Sequence, residues 1–305
     1  MKILFCSDGS KQAESAVRFG AIIAAGCKAE CSILGIAEKP GRKDALLNAL
    51  SRAQDFLKEH QLDAELIAKA GKPETEIVKR TKEGNYDLVV IGAVRKTSFW
   101  RSQDPLWMSV RAYNIIESVE PPVLVVIGRH PALRRILLCS SGSAFIDQAM
   151  KLTGKIAQDV KAVVDLFHVL PETPVVYDDL VGPEMDADGL LQSKSKLGRA
   201  LGHQKNLLEQ FGVFGEFRLR RGSVVTELLK ESHRREYDLV VVGSMPAKER
   251  LRKYVMGDVA REIVNRAGLP VLVFRTGQPL IPRLFKGLLN YVFRRRSEAS
   301  EKSNG

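Results

Sequence analysis

Apolar and polar positions along this chain fall into short blocks of two alternating kinds. Ile3–Cys6, Leu88–Ile91 and Leu239–Val242 are continuous apolar runs, rich in β-branched residues and too short for independent helices. They predict strands buried on both faces, as in a parallel sheet. Between them, apolar residues recur at helical spacing, as in Ala13, Ala16, Val17, Gly20 and Ala24, and again in Leu46, Leu50, Ala53 and Leu57. The first half therefore reads as a strand and tight turn over Ile3–Ser10, with Ser10 capping a helix, and then a strand over Ser32–Ala37. A second helix and a strand over Ala64–Ala70 follow, then a helix with Pro73 in its first turn and Ile77 and Val78 on its core face. Leu88–Ile91, a helix over Leu106–Ser118 and Val123–Ile127 complete five strands alternating with helices, which implies right-handed crossovers.

The pattern then starts again. Ile136–Ser143 repeats Ile3–Ser10 at an offset of 133 residues, with Ser141 where the first copy has Asp8. Tyr86-Asp87-Leu88-Val89-Val90-Ile91-Gly92 returns as Tyr237-Asp238-Leu239-Val240-Val241-Val242-Gly243, now at an offset of 151. About 18 extra residues therefore entered the second copy. They lie between a strand over Leu166–Leu170 and a helix marked by Leu197, Leu201 and Leu208. The insert, about 173–193, carries prolines and acids and predicts a solvated loop on the side where ligands bind, with a lid as the alternative. The expected units are domain 1 over 1–128, domain 2 over 135–275 and a tail over 276–305. The short connector Gly128–Arg134 predicts that the halves pack on each other.

Composition narrows the class. With 305 residues, 45% apolar and 27% charged, the chain has the make-up of a soluble two-domain protein. It has no run of about 18 apolar residues to span a membrane. Met1–Cys6 leads directly into Ser7–Ser10, which reads as a first strand rather than a signal peptide. Cys6 and Cys139 occupy matching strand positions, and Cys27 and Cys31 have no zinc spacing, so a reduced, cytoplasmic protein is expected. Net charge is +11, of which the stretch from Arg275 to Gly305 supplies +5. No aromatic-interleaved basic surface appears in the repeats, and nucleic acid is not expected as a partner.

The paired starts, the paired Tyr-Asp-Leu-Val-Val-x-Gly strands and the closing Pro-Val-Leu-Val strands together resemble the universal stress protein family in its tandem form. The resemblance covers nearly all of residues 1–275. It implies an α/β fold of two open five-stranded parallel-sheet domains, each with strand order 3-2-1-4-5 as in the adenine nucleotide alpha hydrolase-like fold. It also implies that domains pair through their fifth strands, within one chain or in a homodimer. Many members bind ATP, through an Asp after strand one and a Gly-x-x-Gly, nine residues, Gly-Ser/Thr run around the phosphates. Others bind none and act as dimeric regulators.

This chain departs from the nucleotide pattern in both halves. The candidate nucleotide residues, for ATP or AMP, are Asp8, Gly92, Gly243, Gly257 and Asp258. The first half keeps Asp8 and Gly92, but Ala93-Val94-Arg95 follows and no later glycine precedes Trp107. The second half keeps Gly243 and Gly257, with Pro246 at the middle glycine, Ser141 in place of the Asp, and Asp258 where a hydroxyl should meet phosphate. A carboxylate beside a triphosphate costs on the order of 1 kcal/mol or more even when screened; Lys248, Arg250, Arg252 and Lys253 read as an exposed basic loop, with an offset to that repulsion as the alternative. His168 is a candidate for an adenine pocket or a satisfied strand-end histidine. His60, His130, His203 and His233 assemble no triad or metal site by spacing.

The resulting expectation is a non-catalytic regulator that binds an unidentified protein partner and has eroded nucleotide sites. The alternative is a nucleotide-binding sensor whose weak site lies in the second half. In the tail, Leu284, Phe285, Leu288, Leu289, Val292 and Phe293 recur at helical spacing beside Arg283, Lys286 and Arg294-Arg295-Arg296. This predicts a basic amphipathic helix that packs back on domain 2 or touches anionic membrane peripherally.

Overall fold

The computed structural model describes residues 1–38, 43–93, 110–143, 146–170, 186–234, 236–244 and 258–275. In the first half, β1 (Lys2–Ser7), α1 (Lys11–Gly26), β2 (Glu30–Ala37), α2 (Lys43–Glu59) and β3 (Ala64–Ala70) lead to α3 (Pro73–Gly84), β4 (Leu88–Gly92), α4 (Val110–Ser118) and β5 (Val123–Val126). The local signals act as predicted. The Ser10 side chain caps α1, and Pro73 opens α3, where the missing N–H has no partner to lose. Asn85 closes α3 in the left-handed region at φ 49°.

The second half runs β6 (Arg135–Cys139), α5 (Asp147–Val160), β7 (Val163–Leu170), α6 (Ala187–Gln192), α7 (Lys196–Gln210) and β8 (Phe214–Arg221). It ends with α8 (Val224–Arg234), β9 (Leu239–Ser244), α9 (Asp258–Arg266) and β10 (Val271–Arg275). The insert is not a loop throughout. Its described part holds α6, capped by Asp186, with Leu190 fully buried. An apolar contact of that kind ties the segment to the body of the domain.

Each half has strand order 3-2-1-4-5, and the halves join into one ten-stranded sheet, β3-β2-β1-β4-β5-β10-β9-β6-β7-β8. The fifth strands meet antiparallel, with Leu124 opposite Leu272 and Val125 opposite Val271. All other pairings are parallel. Alternation then sorts side chains between two cores. Ile3, Phe5, Leu88 and Val90 face the layer of α1, α2, α5 and α7. Leu4, Val89 and Ile91 face the layer of α3, α4, α8 and α9. Burial on both faces is why these strands read as unbroken apolar runs.

The halves are fastened on both sides of the sheet. On one side α1 meets α5 and Phe19 stacks edge-on against His130 at 6.0 Å. On the other, the Arg261 guanidinium lies 4.3 Å from the Tyr113 ring centre, and Arg275 donates to the Val119 carbonyl at 2.7 Å. Among the described residues no helix is long and apolar enough to cross a membrane. The predicted tail helix, Trp107, Pro246, the basic residues Lys248–Lys253 and Gly257 lie outside the described residues.

Candidate functional site

At the carboxyl end of β1 the chain turns sharply into α1. Gly9 takes φ 79°, and its N–H donates to Ser7 Oγ at 3.2 Å. The Ser10 N–H donates to Asp8 Oδ1 at 3.0 Å, and Ser10 Oγ accepts from the Ala13 N–H at 3.2 Å. The exposed Asp8 carboxylate is thus held in place by one bond and keeps lone pairs for a ligand.

Beside this turn lies a cavity of about 340 Å³. Leu34, Ile36, Ile77, Ile91, Ala112 and Ile115 make its apolar walls, and Asp8, Ser10 and Gln12 contribute polar groups. It sits where β1 and β4 are neighbours and the strand order reverses, the usual ligand crevice of an open α/β sheet. Asp8 and Gly92, two of the candidates that the family resemblance names, both line this cavity. The wall residues read in the sequence as ordinary core, because nothing local marks an apolar residue that lines a void. Cys6 also lines the cavity, half-buried, and burial pushes its thiol up to about 12. It stays protonated near neutral pH and is a poor nucleophile.

The second half repeats the turn and fills its surroundings. Gly142, at φ 73°, donates to Ser140 Oγ at 2.9 Å, and Ser141 Oγ lies 2.8 Å from Ser143 Oγ. The tip of the Leu197 side chain, from α7, packs against Gly142. Register places Phe167 opposite Cys139 where the first half has Leu34 opposite Cys6, and Phe167 is buried. His168 is also buried and donates from Nδ1 to the Ser140 carbonyl at 2.8 Å. Burial lowers its pKa, and that hydrogen bond only partly opposes the shift. Of its two readings, His168 is the satisfied strand-end histidine. Gly243 lies in β9 opposite Phe274, and Asp258 opens α9.

A buried charge cluster at the opposite, amino end of the strands has no counterpart in the sequence expectations. Asp165 is fully buried; its Oδ2 accepts from Arg135 Nε and Nη2 at 3.0 and 2.8 Å and from the Tyr237 hydroxyl at 2.7 Å, and its Oδ1 accepts from the Glu216 N–H at 3.1 Å. Burial and then the Asp165 bond push the Tyr237 phenol upward. The signal was available by laying one repeat on the other, since Asp165 stands where the first half has Ser32 and Arg135 where it has Lys2. Among the described residues no group of three or more His, Cys, Asp or Glu is placed to hold a metal ion.

Comparison with known proteins agrees with this architecture. The family model of the universal stress protein family matches residues 1–127 and again 132–275. Universal stress protein MJ0531 of Methanocaldococcus jannaschii is 26% identical over 142 residues, covering 47% of this chain and 82% of that protein. Universal stress protein YxiE of Bacillus subtilis is 25% identical over 146 residues, covering 46% of this chain and 98% of that protein. Among solved structures, a universal stress protein from Archaeoglobus fulgidus aligns with TM-score 0.65 at 15% identity, over 90% of this chain and 98% of its own. A putative one from Pseudomonas aeruginosa aligns with TM-score 0.62 at 15% identity, over 95% and 97%. Two successive family matches, set on two copies of one fold joined at their fifth strands, make this chain a tandem member of the universal stress protein family.

Proposed function

We propose that this chain is a non-catalytic stress-family regulator that works by binding, with its two ligand sites unequally retained. The observation that carries this reading is the cavity beside Asp8, set against the second half, where buried Phe167 stands at the register position of the wall residue Leu34. Its apolar walls suit a purine base, and the Asp8 carboxylate at its rim suits ribose hydroxyls. The run after Gly92 lacks the glycines that would let backbone N–H groups reach a triphosphate. The ligand supported is therefore the nucleoside part of an adenine nucleotide, AMP or adenosine as readily as ATP. Cys6 offers no activated nucleophile beside it.

Calorimetric titration with adenosine, AMP and ATP tests the reading. The expected result is weak binding that changes little with phosphate number, weakened by Asp8→Ala and abolished by Ala112→Trp. ATP carried stoichiometrically through purification would overturn it. Binding lost in Gly257→Val but kept in Asp8→Ala would place the site in the second half, around Gly243 and Asp258, as the sequence alone suggested.

The same proposal takes 1–128 and 135–275 as the domains, in a cytoplasmic protein with a protein partner still to be found. It gives the basic tail 276–305 a reversible contact with anionic lipid. Truncation after Gly277 should abolish salt-sensitive binding to phosphatidylserine vesicles without lowering the melting temperature. A truncated protein that melts markedly lower, with no vesicle binding by the full chain, would make the tail structural.

A further inference from the structure

The two halves differ at one buried position in a way that defines a second void. On α7, Gln204 is fully buried. Its Oε1 accepts from Ser140 Oγ at 2.5 Å, and its Nε2 donates to the Ser143 carbonyl at 3.0 Å. The amide thus plugs the space between the β6–α5 turn and α7 and satisfies both polar ends it meets.

In the first half, α2 presents Ala53 at the corresponding place, since Leu50 and Leu57 match Leu201 and Leu208 at the offset of 151. The turn that Gln204 contacts is nonetheless kept: Gly9 bonds Ser7 Oγ as Gly142 bonds Ser140 Oγ, with both glycines at positive φ. What remains is a cavity of about 170 Å³ lined by Ser7, Gly9, Ser10, Val17 and Ala53, with Arg52 and Phe56 among its outer residues. Ser7 is 8% exposed, and among the described residues nothing takes its hydroxyl proton. This cavity lies on the α1–α2 side of the sheet and the nucleoside cavity on the α3–α4 side, with Ser7 and Ser10 lining both.

We infer that the first half binds a small primary carboxamide here, in the place that the second half fills with its own Gln204. The ligand's amide oxygen accepts from Ser7 Oγ, and its amide nitrogen donates to the Ser10 carbonyl, whose second lone pair is free of the Glu14 N–H bond that closes the first turn. A cavity of about 170 Å³ is well below the size of drug-like sites, which limits the ligand to about the size of one amino acid. Glu14 and Arg18 also line the cavity but pair with each other at 2.9 Å, which leaves the exposed Arg52 to favour an anionic group at the far end, as on a free amino acid carrying a side-chain carboxamide. A carboxylate in place of the amide would set an acceptor oxygen against the Ser10 carbonyl, with no N–H to offer it, and is rejected.

The test uses the full-length protein and ligand-observed NMR with L-glutamine, L-asparagine and L-glutamate as probes. Saturable binding of an amide probe, with L-glutamate at least about tenfold weaker, is expected. Ala53→Gln supplies the plug internally and should abolish that binding while leaving the adenosine titration unchanged. Gln204→Ala should open the matching cavity and add a second equivalent of amide binding. No saturable signal from either amide at about 10 mM, binding that survives Ala53→Gln, or equal binding of L-glutamate would each overturn the assignment. Because adenosine is titrated separately, failure here leaves the nucleoside reading standing.

Discussion

Gly92 and Gln12 meet backbone to backbone. A Cβ on residue 92 would fall on the Gln12 carbonyl and lie 2.7 Å from the Ala13 N–H nitrogen. Gly92 is therefore required by the close approach of α1 to the end of β4, whatever binds in the cavity beside it. Neither obstacle is a side chain that can swing away. Gly92→Ala should destabilise the first half by about 3 kcal/mol, the upper end for overpacking. Gly212 is the control: it has φ 68° with nothing within 4 Å of a built Cβ. Gly212→Ala should cost only the left-handed backbone, about 1–2 kcal/mol. Urea unfolding of both variants checks the order, and equal midpoints would refute it.

The Asp165 cluster should be the most sensitive polar site in the described residues of the second half. Its carboxylate is fully buried and takes bonds from Arg135, Tyr237 and the Glu216 N–H. Asp165→Ala leaves a guanidinium and a phenol facing a vacated site and should cost about 3–5 kcal/mol. The matching residue in the first half, Ser32, gives one 3.2 Å bond to the half-exposed Glu65. Ser32→Ala should cost about 1 kcal/mol or less. Denaturant unfolding that finds the two substitutions equivalent would show that the cluster adds nothing beyond one hydrogen bond.

His168 gives a pH dependence of definite sign. Its folded pKa is lowered below the usual 6.5, mainly by burial. The unfolded chain therefore takes up the proton first as pH falls. The contribution of neutral His168 is fully present above pH 6.5 and is lost as pH drops from there toward the folded pKa. Stability measured from pH 8 to 5 should decline through this window in the wild type and less steeply in His168→Gln. A decline of the same steepness in both proteins would assign the loss to other groups.

The strands were legible because burial on both faces writes itself into consecutive residues. The Tyr-Asp-Leu-Val-Val pair carries that signal, while β3, an edge strand exposed along most of its length, still begins and ends at the predicted Ala64 and Ala70. Ser10 and Pro73 were legible because a cap and a first-turn proline act within a few residues of themselves. The site was harder. Asp8 and Gly92 could be singled out only through the family resemblance, and the walls supplied by Leu34, Ile77 and Ala112 come from three elements far apart in the chain. Their emptiness in one half and the bulk of Phe167 in the other depend on register, which a single apolar pattern does not encode. The contacts of Asp165 with Tyr237, 72 residues on, and of Gln204 with Ser140 leave no local trace. Both emerge only when the repeats are compared and a polar residue replaces a small one at a matched position.

The final prediction concerns how firmly the halves are joined. β5 and β10 are short apolar strands that would each be an exposed edge without the other, and an unpaired edge of that character invites association between chains. On the α1–α5 side the contact tightens at Gly26, where a Cβ would lie 2.7 Å from Val160 Cγ1 and 3.2 Å from the Asp159 carbonyl oxygen. The valine can shift, but the Asp159 backbone can move only with α5. Gly26→Leu should wedge the ends of α1 and α5 apart at a cost of about 1–3 kcal/mol. The strain should reach β5–β10, the one antiparallel pairing among the described strands. Small-angle scattering of the wild type should fit a single fixed particle, and Gly26→Leu should lower the melting temperature and increase self-association. A wild-type profile that requires two independently tumbling lobes would show that the fifth strands do not hold the halves together in solution.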